Sequence, residues 1–304
     1  MRASQASVER TVHCSGIGLH SGVDVAMSLH PAPPGDGIRV RRTDVAPGTG
    51  EIPCDLAHVV NNRLSTVLGN RHGVTVATVE HLMAALAGMG IDNAVVTLDG
   101  PEIPAMDGSA APFVELIERA GIEEQDAPRR AIRLRKPVTV ERGEACISMT
   151  PADAFSIDFR IEFDSPVIDR QEMSIALANG AFVDDIAPAR TFGFVDEVDR
   201  LREAGFALGA SVDNAIAIDR QRVVNSDGLR FDDEFVRHKI LDCVGDLYLA
   251  GAPILARIVA VKSGHAANHD LLHAMFADED SWAWCDIPPG TNGESVPTLV
   301  PAVG

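Results

Sequence analysis

Several absences narrow the reading of this sequence before any motif is considered. No run of about 18 uninterrupted apolar residues occurs among its 304 residues, and no charged-then-apolar segment opens it. Neither a membrane span nor a secretory signal is therefore expected, and the cytoplasm is the default compartment. The five cysteines, Cys14, Cys54, Cys146, Cys243 and Cys285, are odd in number and scattered, without C-x-x-C spacing. That argues against both a disulfide framework and a thiolate zinc site, and reduced, mostly buried thiols are expected. Positive charge is scarce: 26 Lys and Arg stand against 44 Asp and Glu, a net charge of −18, which disfavours nucleic-acid binding and polybasic membrane contact. An anionic substrate would need a local basic patch. A dinucleotide fingerprint is missing too, since Gly16, Gly18 and Gly22 in GIGLHSG do not follow G-x-G-x-x-G.

What is present is enough apolar residue, 46%, to build a sizeable core for one large or two ordinary domains. VHCSGIGLHSG followed by VDVAMSLH has the grammar of a hairpin, and STVLG and GVTVA suggest a small sheet. TVEHLMAALAG predicts a helix capped by Thr78 and stopped at Gly88. IDNAVVTLDG and APFVELIERAG then read as a strand and a helix that close the first half. Apolar character drops at Gln125–Arg130, the expected linker. The second half repeats the plan: strands at Ile132–Val140, Cys146–Thr150 and Phe155–Phe163, an irregular section with a helix at Val195–Ala204 and a strand at Asn214–Asp219, a long helix, the strand ILARIVAVKSG and the helix HDLLHAMF. Val195, Val198, Leu201, Phe206, Ala207 and Leu208 suit either core packing or an apolar substrate groove.

The long helix, expected over Arg230–Asp246, carries the chemistry. Phe235, Val236, Ile240, Leu241, Val244 and Leu247 recur at three- and four-residue intervals and define a buried face. His238 and Asp242 lie one turn apart, a spacing that suits two ligands of one divalent metal and equally an ordinary surface pair. His81, flanked by Glu80, is the best third ligand. A hydrolytic zinc needs about three N/O ligands and one open position for water, together with a base for the water proton and donors for the oxyanion and leaving group. Glu80 is placed to be the base, His265 in the loop KSGHAAN a candidate acid, and Thr191 in RTFGF a hydroxyl for the oxyanion.

The blocks GIGLHSG, TVEHLMAAL, IDNAVVTLDGPEIPAMDGSAAPFVE, ARTFGF, SVDNAIAID, LRFDDEFVRHKILDCVGDLYLAG and KSGHAAN, in this order and over residues 7–277, closely resemble the LpxC family of UDP-3-O-acyl-N-acetylglucosamine deacetylases. The resemblance implies a cytoplasmic zinc amidase that removes acetate from a UDP-linked acylated amino sugar, the committed step of lipid A synthesis. It also implies an α+β fold: two similar α/β domains, 1–127 and 128–304, in a sheet-helix-helix-sheet sandwich, the second carrying a small β-α-β insertion near 193–220 that forms an acyl passage. By the same resemblance His81, His238 and Asp242 hold Zn(II), Glu80 is the base, His265 the acid, Thr191 the oxyanion stabiliser, and Asp246 the carboxylate that orients His265. Lys239, Lys262, Phe192, Phe163 and His20 match substrate-contacting positions. Two departures stand out, Ala267 where leucine is common and Ala210 where a second glycine is common, the latter in the acyl passage. No nucleic acid is expected as partner, transient membrane contact is expected only through the acyl chain, and a monomer is expected. Fe(II) suits the same ligands, and a two-His-one-carboxylate Fe(II) oxygenase is the alternative reading, although such an oxygenase needs neither Glu80 nor a His265–Asp246 pair.

Overall fold

The structure, a computed structural model, describes residues 1–178 and 180–288, so the last part of the expected second domain lies outside the described residues. It is a mixed α and β fold, as expected. A five-stranded sheet runs in the order Val12–Ile17, Asp24–Pro31, Ala94–Leu98, Ile38–Arg42, Glu51–Pro53, antiparallel except where Ile38–Arg42 lies parallel to Ala94–Leu98. A seven-stranded sheet follows the path Val138–Arg142, Ala145–Pro151, Ile254–Val261, Arg130–Leu134, Trp282–Asp286, with Ser156–Glu162 also paired to Ile254–Val261 and Arg170–Ala176 beyond it. The expected strand Ile132–Val140 is broken in two. Pro137, which has no N–H for a ladder, separates Arg130–Leu134 from Val138–Arg142.

Five α-helices, α1 Glu80–Met89, α2 Ala111–Ala120, α3 Val195–Glu203, α4 Glu234–Tyr248 and α5 His265–Ala277, are present among the described residues. Helices α1 and α4 pack on each other, and α4 also lies on Ser156–Glu162 and Arg170–Ala176. α2 lies on α1 and on Val12–Ile17, while α5 lies on α4 and on Val138–Arg142 and Ala145–Pro151. One continuous apolar core takes in Met27, Leu29 and Val96 of the first sheet, Leu82 and Leu86 of α1, Ile240 and Leu241 of α4, and Phe159 and Ile258 of the second sheet. The close approach of α1 and α4 depends on Gly245. A Cβ there would lie 2.0 Å from the carbonyl oxygen of Glu80 and 3.1 Å from the amide nitrogen of Ala84, so only glycine lets the backbones meet.

Two local features are set at long range. Most of Gln125–Arg130, the expected linker, is extended strand: Ile122–Pro128 pairs antiparallel with Ser4–Val8, a partner more than 110 positions away. Thr78 does not cap α1. It sits at φ 58° and gives its hydroxyl to Glu102 Oε1 at 2.7 Å, leaving Val79 as the first flanking residue.

Candidate active site

Helix α4 is fixed at its start by a buried ion pair. Glu234, fully buried, accepts from the backbone N–H of Arg190 at 3.0 Å, from its guanidinium at 2.9 Å and from the N–H of Arg230 at 2.6 Å. This holds the segment 188–192 against the first turn of α4. In consequence His238 Nδ1 meets the carbonyl oxygen of Ala189 at 3.0 Å. A carbonyl can only accept, so the ring proton sits on Nδ1 and the lone pair of Nε2 is free. That nitrogen lies 3.2 Å from Asp242 Oδ1, and His81 Nε2 of α1 lies 3.6 Å from the same oxygen. The two rings stand at 89° with centroids 4.9 Å apart.

Ligand atoms of His81, His238 and Asp242 lie within 4.8 Å of one another, and all three residues are buried. Burial alone would raise the Asp242 carboxyl, but His238 and the Lys239 ammonium, 2.6 Å away, hold it well below the usual carboxylate range. Burial, helped by His238, keeps His81 below its ordinary value against the pull of Asp242, and so in the neutral form that ligates. Two imidazole nitrogens and one carboxylate converging in a buried space fit a divalent cation with an open coordination position.

Next to this trio lies an acid–base pair. Glu80, the first residue of α1, is buried and accepts from the N–H of Thr66 at 3.0 Å. Burial pushes its carboxyl up to about 8, with Asp246 and Asp242 adding to the rise and His265 opposing it. His265 Nε2 lies 3.9 Å from Glu80 Oε1. On its other side, His265 Nδ1 meets Asp246 Oδ2 at 2.8 Å. Burial works against the imidazolium, yet the charge and hydrogen bond of Asp246 outweigh it and raise His265 to about 9. Asp246 stays ionised, far below its ordinary value despite complete burial, because His265 and His269 face it. Thr66 Oγ1 donates to its Oδ1 at 2.6 Å and Asn268 Nδ2 to its Oδ2 at 2.9 Å. His265 is the first residue of α5 rather than a loop residue, and a helix N-terminus disfavours a cation, so Asp246 is what keeps the ring charged.

The other expected residues border this cluster. Phe163, Phe192 and Phe235 form a chain of edge-to-face rings, centroids 5.7 and 5.0 Å apart, and Phe192 reaches within 6.3 Å of the His238 ring. Thr191 is tied by its backbone to Gly108 at 2.8 Å and Ile216 at 2.7 Å, which leaves its hydroxyl unused by those bonds. The His20 ring packs edge-on to Phe206 at 5.8 Å, and burial lowers it, with Glu102 opposing and the charge on His265 adding to the shift. Lys262 faces Glu144 at 3.1 Å and Glu162 at 3.7 Å, so carboxylates engage it here. Ala210 is half-buried and donates to the carbonyl of Ala207 at 3.3 Å.

The insertion is a β-α-β unit, Phe192–Phe194 lying parallel to Ile216–Asp219 with α3 between them. Core packing accounts for the apolar residues of its strands, with Ile216 and Ile218 fully buried, and for Ala207, but not for Val195 and Leu208, which are 44% and 50% exposed, and no residue of α3 is buried. The unit docks on the hairpin turn through Leu208 N to His20 O and Gly209 N to Leu19 O, each 3.1 Å. Among the residues that tie the site together, Thr66, Asn268 and Glu102 escape sequence reasoning, because lone polar residues in short segments carry no periodic signal. His269 repeats the four-residue spacing from His265 and was open to detection.

The family model for UDP-3-O-acyl N-acetylglycosamine deacetylase, LpxC, matches residues 5–277. The chain belongs to the LpxC family. Relatives named UDP-3-O-acyl-N-acetylglucosamine deacetylase share 50% identity over 284 residues in Acidithiobacillus ferrooxidans, covering 93% of each chain, and 48% over 282 residues in Vibrio parahaemolyticus, covering 92% of each. A third, from Shewanella oneidensis, is 47% identical over 280 residues and 91% of each chain. The span matched to the LpxC family contains every residue described at the site, from His20 to His269. Among the described residues no helix is long and apolar enough to cross a membrane.

Proposed function

We propose that the protein hydrolyses the acetamide of a UDP-3-O-acyl-N-acetylglucosamine, releasing acetate and the free 2-amine in the lipid A pathway, as a monomer in the cytoplasm. The observation that carries this reading is the 3.9 Å separation of Glu80 and His265 beside three converging metal-ligating side chains. A base and an acid facing each other next to a Lewis-acid site are the parts that amide hydrolysis needs. An Fe(II) oxygenase has no use for that pair, and family membership favours hydrolysis as well.

His81, His238 and Asp242 would hold the ion, which we assign as Zn(II). When bound, it supplies Lewis acidity that lowers the pKa of a water toward about 7 and polarises the acetamide carbonyl. Glu80 takes a proton as the water oxygen bonds to the acetyl carbon. The charge of His265 opposes the rise in the Glu80 carboxyl and favours the ionised form that acts as base. The Thr191 hydroxyl donates to the oxygen that gains charge. His265 Nε2 gives its proton to the sugar nitrogen as the C–N bond breaks, and Asp246 holds the ring oriented and charged until then. Phe163 and Phe192 line the approach of the substrate, with Lys239, Lys262 and His20 meeting its nucleotide and sugar, and the insertion around Ala210 takes the acyl chain. Acetate release from the UDP-acyl-GlcNAc substrate by zinc-loaded and metal-depleted protein tests this: release only when loaded is expected, and no release in either state overturns it.

A further inference from the structure

Asp246 is faced by a second imidazole. His269, on α5 one turn after His265, is 1% exposed, and its Nε2 lies 3.3 Å from Asp246 Oδ1. The approach is off the line of a good hydrogen bond, and this buried nitrogen has no other partner among the described residues. Its Nδ1 lies 3.2 Å from Asn62 Nδ2. An amide nitrogen can only donate, so Nδ1 must accept, and in the neutral ring the proton sits on Nε2, the nitrogen turned toward Asp246.

We propose that His269 is a positioning residue of the acid pair: as the Nε2–H tautomer it donates to Asp246 Oδ1 and so keeps Oδ2 aimed at His265 Nδ1. The proposal rests on the deacetylase reading of the site. Thr66 already donates to Oδ1, while His265 and Asn268 share Oδ2. A carboxylate with all its lone-pair directions occupied cannot rotate, and a ring hydrogen-bonded to it is held in register with it. The donor also draws charge toward Oδ1 and so limits how strongly Asp246, bonded to Nδ1, stabilises the His265 imidazolium, whose Nε2 proton must leave during the reaction. Of the charged groups around the pair, Lys239 of α4 also acts on Asp246, but its ammonium is engaged by Asp242 at 2.6 Å. Cys243, one turn earlier on α4, is kept protonated chiefly by burial. Glu80 faces His265 from α1, and His20 acts on it from the hairpin turn. Against the rest of α5, His58 is engaged by Asp55 at 2.7 Å, and Arg142 by Asp270 at 2.8 Å.

Three variants of the zinc-loaded protein separate the donor from the bulk of the ring. His269→Gln keeps an amide N–H near the position of ring Nε2. His269→Asn places its nitrogen too short to reach Asp246, and His269→Leu has none. The expected result is a fall in kcat of about 10-fold for the Asn and Leu variants, with KM within about twofold and the basic limb of the pH–rate profile moved upward, because an Asp246 relieved of one donor stabilises the His265 imidazolium more strongly and so makes its Nε2 proton harder to release. His269→Gln should restore both values. Nitrogen NMR of the wild-type rings should show the His269 proton on Nε2 and, in His269→Asn, a raised titration of His265. A proton found on Nδ1, a basic limb left in place by the Asn variant, or a Gln variant no better than Asn would each overturn the proposal. The NMR readings hold without turnover, so a protein that releases no acetate would fail the deacetylase reading alone. Should the Leu variant not fold, the Gln and Asn pair and the wild-type tautomer still decide.

Discussion

Glu80 and His81 are neighbours in sequence, but the proposed function gives them different tasks, and substitution should separate them. Replacing His81, His238 or Asp242 by alanine leaves a cation with two protein ligands, so metal content and activity should fall together, as measured by elemental analysis beside acetate release. Glu80→Ala should keep its metal and lose about 10²–10⁴-fold in kcat, the usual contribution of a general base. Full metal in all three ligand variants would remove the site assignment. His265 makes a prediction about stability. Its folded value is raised to about 9 from an ordinary 6.5, so the stabilisation it contributes is complete below pH 6.5 and is lost as the pH rises through 9. The wild type should lose on the order of 2–3 kcal/mol more than His265→Ala between pH 6 and pH 10 in denaturant titrations. Equal losses would mean that the pair with Asp246 does not form. These residues were legible because their types are rare in apolar helices, whereas the Thr66 hydroxyl and the Asn268 amide, which hold Asp246, look like any polar residue beside a strand or helix end.

At the scale of elements, the contact of α1 with α4 reverses a familiar rule. Alanine ordinarily stabilises a helix interior by about 1 kcal/mol over glycine. At Gly245 the added methyl would meet the Glu80 carbonyl at 2.0 Å, so Gly245→Ala should instead destabilise by about 1–3 kcal/mol and displace the base, lowering kcat more than KM rises. A variant as stable as the wild type would show that the helices can part freely. In the insertion, Ala210 follows Gly209, where a Cβ would meet the carbonyl oxygen of Gly18 at 2.3 Å, while Leu208 is half exposed. Ala210→Gly should raise kcat/KM for long acyl chains over short ones by about fivefold or more, the worth of one or two methylenes, with an unchanged ratio counting against an acyl passage there. Periodicity made α4 readable to within a few residues, since its apolar face repeats regularly. The strand at Ile122–Pro128 was hidden because its partner Ser4–Val8 is distant and its own residues are polar, and the φ of Thr78 is set by Glu102, which no local pattern signals.

Across the whole molecule, the proposed ion would join two parts of the chain that otherwise meet through packing and hydrogen bonds such as Thr66 to Asp246 and Tyr248 to Ile91, α1 and the strands before it with α4 and the strands around it. Binding to the folded state alone should then raise the unfolding temperature of the entire protein in one step. At a free zinc concentration 100 times its Kd, stabilisation of about 2.7 kcal/mol and a shift of about 5 °C are expected by calorimetry, and none in His238→Ala. A shift confined to one of two transitions would show that the halves unfold apart. The general α+β plan was readable from element order, but the way α1 meets α4 was not, because it is decided by one missing methyl group. Thr66 has a wider consequence. It gives its N–H to Glu80 and its hydroxyl to Asp246, so the proposed proton acceptor and the support of the proposed proton donor hang on one residue. In evolutionary terms the two are epistatic: a change that reseats either one disturbs the other, and a compensating change has to satisfy both at once. On the proposed function, single substitutions would be constrained around the proton-transfer groups and less so at the exposed α3 insertion, where a change in acyl specificity would leave the Thr66 hydrogen bonds intact.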